Sequence, residues 1–386
     1  MIDFTWGGRT TGTLTKGCIQ CIQGRKSVLF VTGHCNLACY YCPVSNQKMH
    51  KGHMYINEVF ISENMKIENA IKVIIQELEL CQSHGISITG GDPLLAPERI
   101  VSIGKALKEY FGKNFHIHLY TPGREGSKEM FSNLVEVLDE IRFHPTNNKD
   151  LETMILALDF SWDVGIELPA TINLSNQSFF KKIVDSYYKE SIKRKRTKIF
   201  MNLNELEITE SNFRDMKKYI AEENILDSFV FGSKDEAFKI QSILPSQYPG
   251  FDVFFCPQSE KDHIQISKRY TKRAESVAFS GDIIEPDGPN KGLLMRGIIK
   301  LSNHSHISPD LTSVLELEDI KKHIIQKFKV SSEEIIIDYK KTRIITSPEF
   351  IDEFKEKLHD QFANIEIGIL EESPAYDQIE FSYINL

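Results

Sequence analysis

The residues of this chain best suited to chemistry are three cysteines in one short segment, Cys35-Asn-Leu-Ala-Cys39-Tyr-Tyr-Cys42. Thiolates are the preferred ligands of iron–sulfur clusters and of zinc, and three on a short loop can wrap one cluster while a fourth position stays open. Spacings of four and three residues would also line one helix face with small buried hydrophobes. That reading is opposed by Pro43, which follows at once, and by the lack of a polar face to balance the stripe. A second group lies upstream. Gly17-Cys18-Ile-Gln-Cys21-Ile-Gln-Gly24 has the Cys-x-x-Cys spacing and flanking glycines of half a metal site. Cys256, at the end of a short apolar run, is a third thiol that could meet it. An auxiliary iron–sulfur cluster or zinc at Cys18, Cys21 and Cys256 competes with a bland alternative, a pair of reduced thiols packed against the core. Cys81, closing an amphipathic stretch, reads as core.

The elements that must position these groups alternate between strand and helix from about residue 27 to 203. Short β-rich runs at Ser27–Thr32, Ile86–Thr89, Phe115–Tyr120, Glu140–His144, Val164–Leu168 and Lys198–Leu203 are separated by amphipathic stretches such as Ile67–Cys81, Glu98–Phe111 and Lys128–Leu138. That is the pattern of parallel strands joined by crossover helices. Every second strand residue collects Thr32, Ser87, Thr89, His116, His118, Tyr120, Arg142, His144, Glu167, Asn202 and Asn204, whereas the other face is aliphatic or aromatic. A barrel interior is ordinarily filled by bulky branched side chains, so a polar interior predicts a curved sheet around a solvated ligand cavity.

Composition sets the frame. Hydrophobic residues make up 41% and charged residues 26% of 386 residues, enough for an extensive core and too long for one ordinary domain. The net charge of −8 gives no general attraction to nucleic acid. Every apolar run is broken by charge within about ten residues, so no membrane-spanning helix or signal peptide is expected. Seven cysteines, five of them between Cys18 and Cys42, fit metal binding in a reducing cytoplasm better than a disulfide framework. After about residue 260 the pattern changes to a basic helical stretch, His263–Ala278, and then to an α+β segment. Its expected strands are Leu293–Leu301, Glu334–Tyr339, Arg343–Thr346, Ile365–Leu370 and Ile379–Tyr383, with helices at Leu317–Phe328 and Pro348–Phe362. Ser347 is the N-cap of the last, with Pro348 at its first position.

The three cysteines, with aromatic Tyr41 just before the last, resemble the signature of the radical S-adenosylmethionine (SAM) superfamily. Thr89-Gly90-Gly91-Asp92-Pro93, following a strand about fifty residues on, resembles the family's Gly-Gly-Glu-Pro motif that cradles the amino group of SAM, with Asp92 in place of Glu. Tyr120-Thr121-Pro122-Gly123 is similar, more weakly, to an element that approaches SAM in some members. The resemblance covers about residues 25 to 205. It implies an α/β fold with a partial (β/α)6 TIM-type barrel, and with the pattern along the chain this gives a core at residues 27–260, an N-terminal segment, 1–26, before it and a smaller α+β domain, 261–386, after it. It further implies a [4Fe–4S] cluster on Cys35, Cys39 and Cys42, SAM at the carboxyl ends of the strands, and an electron donor such as ferredoxin or flavodoxin. His118, Arg142, Glu167 and Asn202, with His116, His144 and Asn204, become candidates for SAM or substrate contacts. The substrate, small molecule or protein, is not identified. Among relatives the chain looks most like archaeal proteins labelled as related to pyruvate formate-lyase activating enzymes. Three alternatives stand beside this reading: a pyridoxal-phosphate-dependent aminomutase-like enzyme, an RNA-modifying enzyme using Lys268, Arg269, Lys272 and Arg273, and a non-catalytic zinc scaffold.

Overall fold

The computed structural model describes residues 1–226, 228–302 and 311–386. Two compact units divide the chain, Met1–Ile266 and Ser267–Leu386. Among the described residues of the first, seven strands run parallel: β1 (Lys26–Phe30), β2 (Gly85–Thr89), β3 (His116–Thr121), β4 (Glu140–Phe143), β5 (Asp163–Pro169), β6 (Ile199–Asn204) and β7 (Phe251–Cys256). Each pairs with its sequence neighbour, so the order across the sheet never reverses. Successive right-handed crossovers in one direction place the crossover helices on the same face, and the opposite face is left to line a cavity. The sheet is open. Its edges are closed off by short antiparallel pairs, Met54–Ile56 with Val59–Ile61 beside β1, and Arg9–Thr10 with Ile2–Asp3 beside β7.

The six expected strands are all present, with ends shifted by up to about two residues. A seventh, β7, had read only as an apolar run. Its partner is β6, in register from Ile199 opposite Phe251 to Asn204 opposite Cys256. Strand alternation sorts the side chains cleanly. Leu29, Ile86, Ile88, Ile117, Leu119, Ile141, Phe143, Val164, Ile166, Met201, Leu203, Val253 and Phe255 enter one apolar core beneath the helices. Those helices are α2 (Ile67–Leu80), α3 (Pro97–Phe111), α4 (Lys128–Leu134), α5 (Asn148–Ala157), α6 (Ser178–Lys193) and α7 (Ser233–Gln247). Ser127 and Asn147 cap α4 and α5 through their side chains, each satisfying an otherwise unpaired backbone N–H.

One helix lies elsewhere. α1 (Lys16–Ile22) starts at the N-cap Thr15, whose hydroxyl accepts from the Cys18 amide, and packs on β1 and β3. A Cβ on Gly17 would come within 2.6 Å of the His118 ring and 2.9 Å of the Arg142 guanidinium. Gly17 is therefore the residue that lets α1 sit against the polar face of the sheet. The Cys-x-x-Cys is helical, with Cys18 and Cys21 three residues apart on one face.

The second unit is an antiparallel sheet ordered Ile336–Asp338, Arg343–Thr346, Leu294–Leu301, Ile365–Glu372, Glu380–Asn385. Helices α8 (Leu311–Phe328) and α9 (Pro348–Gln361) cover an apolar cluster that includes Ile299, Leu317, Ile344, Ile351 and Ile367. Ser347 caps α9 as its sequence indicates, accepting from the Phe350 amide. In the helix Ser267–Val277, Arg269 and Arg273 are buried rather than displayed as a phosphate-binding face. No helix among the described residues is long and apolar enough to cross a membrane.

Candidate functional site

The polar face of the first unit surrounds a cavity of about 660 Å³. Cys35, Cys39 and Cys42 line it from the loop after β1, beside Thr89, Gly90 and Gly91 from the end of β2 and Thr121 from β3. The two motifs are joined by backbone hydrogen bonds. Gly91 N donates to Thr32 O and Asp92 N donates to His34 O, both at 2.8 Å. A Cβ on Gly91 would stand 2.3 Å from His34 O and 2.9 Å from Cys35 Cβ, so only glycine admits this approach. The turn after β2 thus fixes the chain that enters the cysteine loop.

Two residues of that turn do not face the cavity as their motif suggested. Asp92 is buried, and its carboxylate accepts from Thr121 Oγ1 at 2.8 Å and from Leu94 N at 3.1 Å. It caps the turn that starts at Pro93 and holds Thr121, whose hydroxyl in turn accepts from Gly123 N. Asp92 and Pro93 therefore support the wall, while Thr89, Gly90 and Gly91 form it.

Tyr41 is half-buried at the rim, and its hydroxyl donates to His144 Nε2 at 2.6 Å. Burial lowers the His144 pKa to about 4, which keeps the ring neutral and able to accept. Burial pushes the Cys35 and Cys39 thiols up, and neighbouring members of the same triad push them further. Arg124 offsets this only in part, and thiols that suppress one another's ionisation in a partly dry pocket call for a stronger cation. A metal cluster is the group that supplies one, because thiolate ligands are deprotonated on binding. Among the described residues no three His, Cys, Asp or Glu side chains close onto one point, so the triad is a loop facing a cavity rather than a closed ligand set. The donor chemistry and the close-packed glycine turn nonetheless fit a thiolate-held cluster with a ligand beside it.

The cavity floor is a buried ionic network. Arg142 pairs with Glu140 and, at 2.9 Å, with Glu167, and its guanidinium also donates to Thr15 Oγ1 and Cys18 Sγ. Glu167 accepts from Asn202 Nδ2 at 3.1 Å and Asn204 Nδ2 at 2.7 Å. Arg142, Glu167, Asn202, Asn204, Tyr120 and His144 all face the cavity. His118 does not. It lies fully buried under α1, with neither ring nitrogen hydrogen-bonded among the described residues. His116 is buried beside it, against Lys26 Nζ at 2.6 Å, and burial with the cation next to it lowers its pKa to about 2. Lys26, absent from the sequence-based candidates, is itself lowered to about 7 by burial. Its signal was available, since alternation places a lysine on the same strand face as Val28, which lines the cavity. Cys81 is core, its thiol donating to Glu77 at 3.2 Å.

Comparison with known proteins agrees with this geometry. The profile of the Radical SAM superfamily matches residues 29–148, the segment from β1 through both motifs. The chain belongs to that superfamily, and it is an enzyme of that class, whose members use a [4Fe–4S] cluster and SAM. A protein of Methanocaldococcus jannaschii, named provisionally as a glycyl-radical enzyme activating enzyme, is 35% identical over 331 residues, covering 81% of this chain and 80% of the relative.

Proposed function

We propose that the chain forms a 5′-deoxyadenosyl radical in the cavity of the first unit and uses it to take a hydrogen atom from a protein substrate. The observation that carries this reading is the pair of hydrogen bonds from Gly91 and Asp92 to the backbone leading into Cys35, which makes one structural unit of two distant motifs. Cys35, Cys39 and Cys42 would hold the [4Fe–4S] cluster, and Tyr41, Thr89, Gly90, Gly91 and Thr121 would line the SAM site, with Asp92 and Pro93 holding that wall in place. Bound there, the cluster and SAM supply one-electron cleavage of a sulfonium to methionine and a carbon radical that abstracts hydrogen.

The chain's own contribution is position and dryness. Gly90 and Gly91 let a ligand approach the backbone closely. The Tyr41 to His144 hydrogen bond holds the aromatic ring at the rim. Arg142, Glu167 and Asn202 present fixed polar groups that already satisfy one another, so a substrate meets a preorganised floor rather than mobile water. His118 lies too deep for contact and would act by supporting α1.

The seven parallel strands of the open sheet support a partial barrel of the (β/α)6 type extended by one strand, with residues 1–26 as an N-terminal segment inside it and the C-terminal α+β unit as a separate domain. The name of the archaeal relative supports a protein substrate, and reductive chemistry requires an electron donor such as ferredoxin or flavodoxin. A cytoplasmic location suits the oxygen-sensitive cluster. Anaerobic incubation with SAM and dithionite should yield 5′-deoxyadenosine and methionine, whereas Cys35→Ala/Cys39→Ala/Cys42→Ala should yield neither. Product formation by that triple variant at the native rate would overturn the proposal. Deuterium passing from a labelled candidate protein into 5′-deoxyadenosine would identify the substrate.

A further inference from the structure

Four thiols take no part in the proposed reaction; Cys81 is core, and the other three line the cavity. Cys18 and Cys21 occupy one face of α1, and Cys256 ends β7, the strand that pairs with β6. All three line the same cavity, and they lie near enough to act on one another electrostatically. We propose that Cys18, Cys21 and Cys256 form a second thiolate-bound metal centre in the first unit, separate from the cluster of the Cys35 loop.

Their surroundings are those of metal-bound sulfur. Cys18 Sγ accepts two hydrogen bonds, from Asn202 Nδ2 at 3.2 Å and Arg142 Nη2 at 3.3 Å. Cys256 Sγ accepts one from Gln265 Nε2 at 3.4 Å. A protonated thiol is a weak acceptor, while a thiolate on a metal is stabilised by N–H groups aimed at sulfur. Each sulfur also has a basic side chain near it: Arg142 for Cys18, Lys26 for Cys21 and Lys261 for Cys256. On the outer side, Phe4, Leu14, Ile22 and Phe254 pack with Cys18 and Cys256, forming the apolar wall that keeps water from a buried centre.

Three sulfurs suit either an iron–sulfur cluster with one open iron or a tetrahedral zinc completed by a further ligand. The side chains must rotate to close on one metal, since no three ligand groups converge on a point among the described residues. Side-chain rotation is within reach at a cavity wall, and the backbone of α1 is already fixed by Thr15 and Gly17.

The test removes the other site first. Cys35→Ala/Cys39→Ala/Cys42→Ala, purified anaerobically and reconstituted with iron and sulfide or loaded with zinc, should keep about four iron or about one zinc per chain. Adding Cys18→Ala/Cys21→Ala, or Cys256→Ala, should reduce that content to background, with far-ultraviolet circular dichroism reporting that the chain still folds. Iron with an absorbance near 400 nm identifies a cluster, and colourless protein with zinc identifies a zinc site. A folded triple variant that holds neither metal, or one whose metal survives loss of Cys18 and Cys21, overturns the second centre. If the triple variant holds none while the native chain holds about four iron, this proposal fails and the reading of the Cys35 loop stands. Metal-free native chain after reconstitution would overturn both.

Discussion

Gly91→Ala should separate the geometry of the site from the stability of the fold. The added Cβ would lie 2.3 Å from His34 O and 2.7 Å from His34 C, both backbone atoms, and 2.9 Å from Cys35 Cβ. Ordinary contact begins near 3.4 Å, so the entry to the cysteine loop must move by about 1 Å. A misplacement of that size costs on the order of 100-fold in rate where reacting groups must be aligned. Overpacking of a fitted site also costs about 1–3 kcal/mol of stability. The control is Gly104→Ala, where a Cβ would meet Val137 at 2.7 Å between α3 and the end of the α4 segment, away from the cavity. Both variants should lose similar stability in urea, and only Gly91→Ala should lose about 100-fold in the rate of 5′-deoxyadenosine formation under dithionite. If the two variants cleave SAM equally fast at equal stability, the contact between Gly91 and the Cys35 loop does not position the reaction.

Three further outcomes follow from buried charge. Arg142→Met strands Glu140 and Glu167 in the cavity floor without their ion-pair partner, and the first unit should lose about 3–5 kcal/mol in a denaturant titration; a loss under about 1 kcal/mol would mean the carboxylates find other partners. His116 is held neutral, its pKa lowered from 6.5 to about 2. The unfolded chain then takes up that proton first as pH falls below about 6.5, so this group's stabilising contribution is full above that pH and declines by about 1.4 kcal/mol per unit below it. His118 and His144, lowered in the same direction, steepen the decline, and His116→Gln should flatten it by one proton's worth between pH 6 and 5; an unchanged slope argues against a neutral His116. In the C-terminal unit, the fully buried carboxylate of Glu372 accepts from Arg296, Arg343 and Lys341, so Glu372→Ala should destabilise that unit by about 3–5 kcal/mol, read as faster limited proteolysis of residues 267–386.

Local physics made much of this protein legible from its residues. Strand alternation has a strict period of two, so Ser87, Tyr120, Arg142, Glu167 and Asn202 declared a shared polar face before any neighbour was known. The cysteine loop announced itself because three thiols beside a proline have few other uses, and Ser347-Pro348 marked a helix start through capping chemistry that spans four residues.

Tertiary structure decided what depended on distant partners. Phe251–Cys256 is a strand because Ile199–Asn204 lies beside it, and nothing within its own six residues distinguishes it from a buried helix turn. The Asp92 carboxylate points at Thr121 and not into the cavity because β3 brings that hydroxyl within 2.8 Å. His118 is sealed beneath α1, since Gly17 allows a helix from the start of the chain to fill the deep end of the sheet. The same insertion brings Cys18 and Cys21 to a cavity shared with Cys256. Periodicity tells which way a side chain faces along its own element, whereas which element stands opposite depends on packing across the whole sheet.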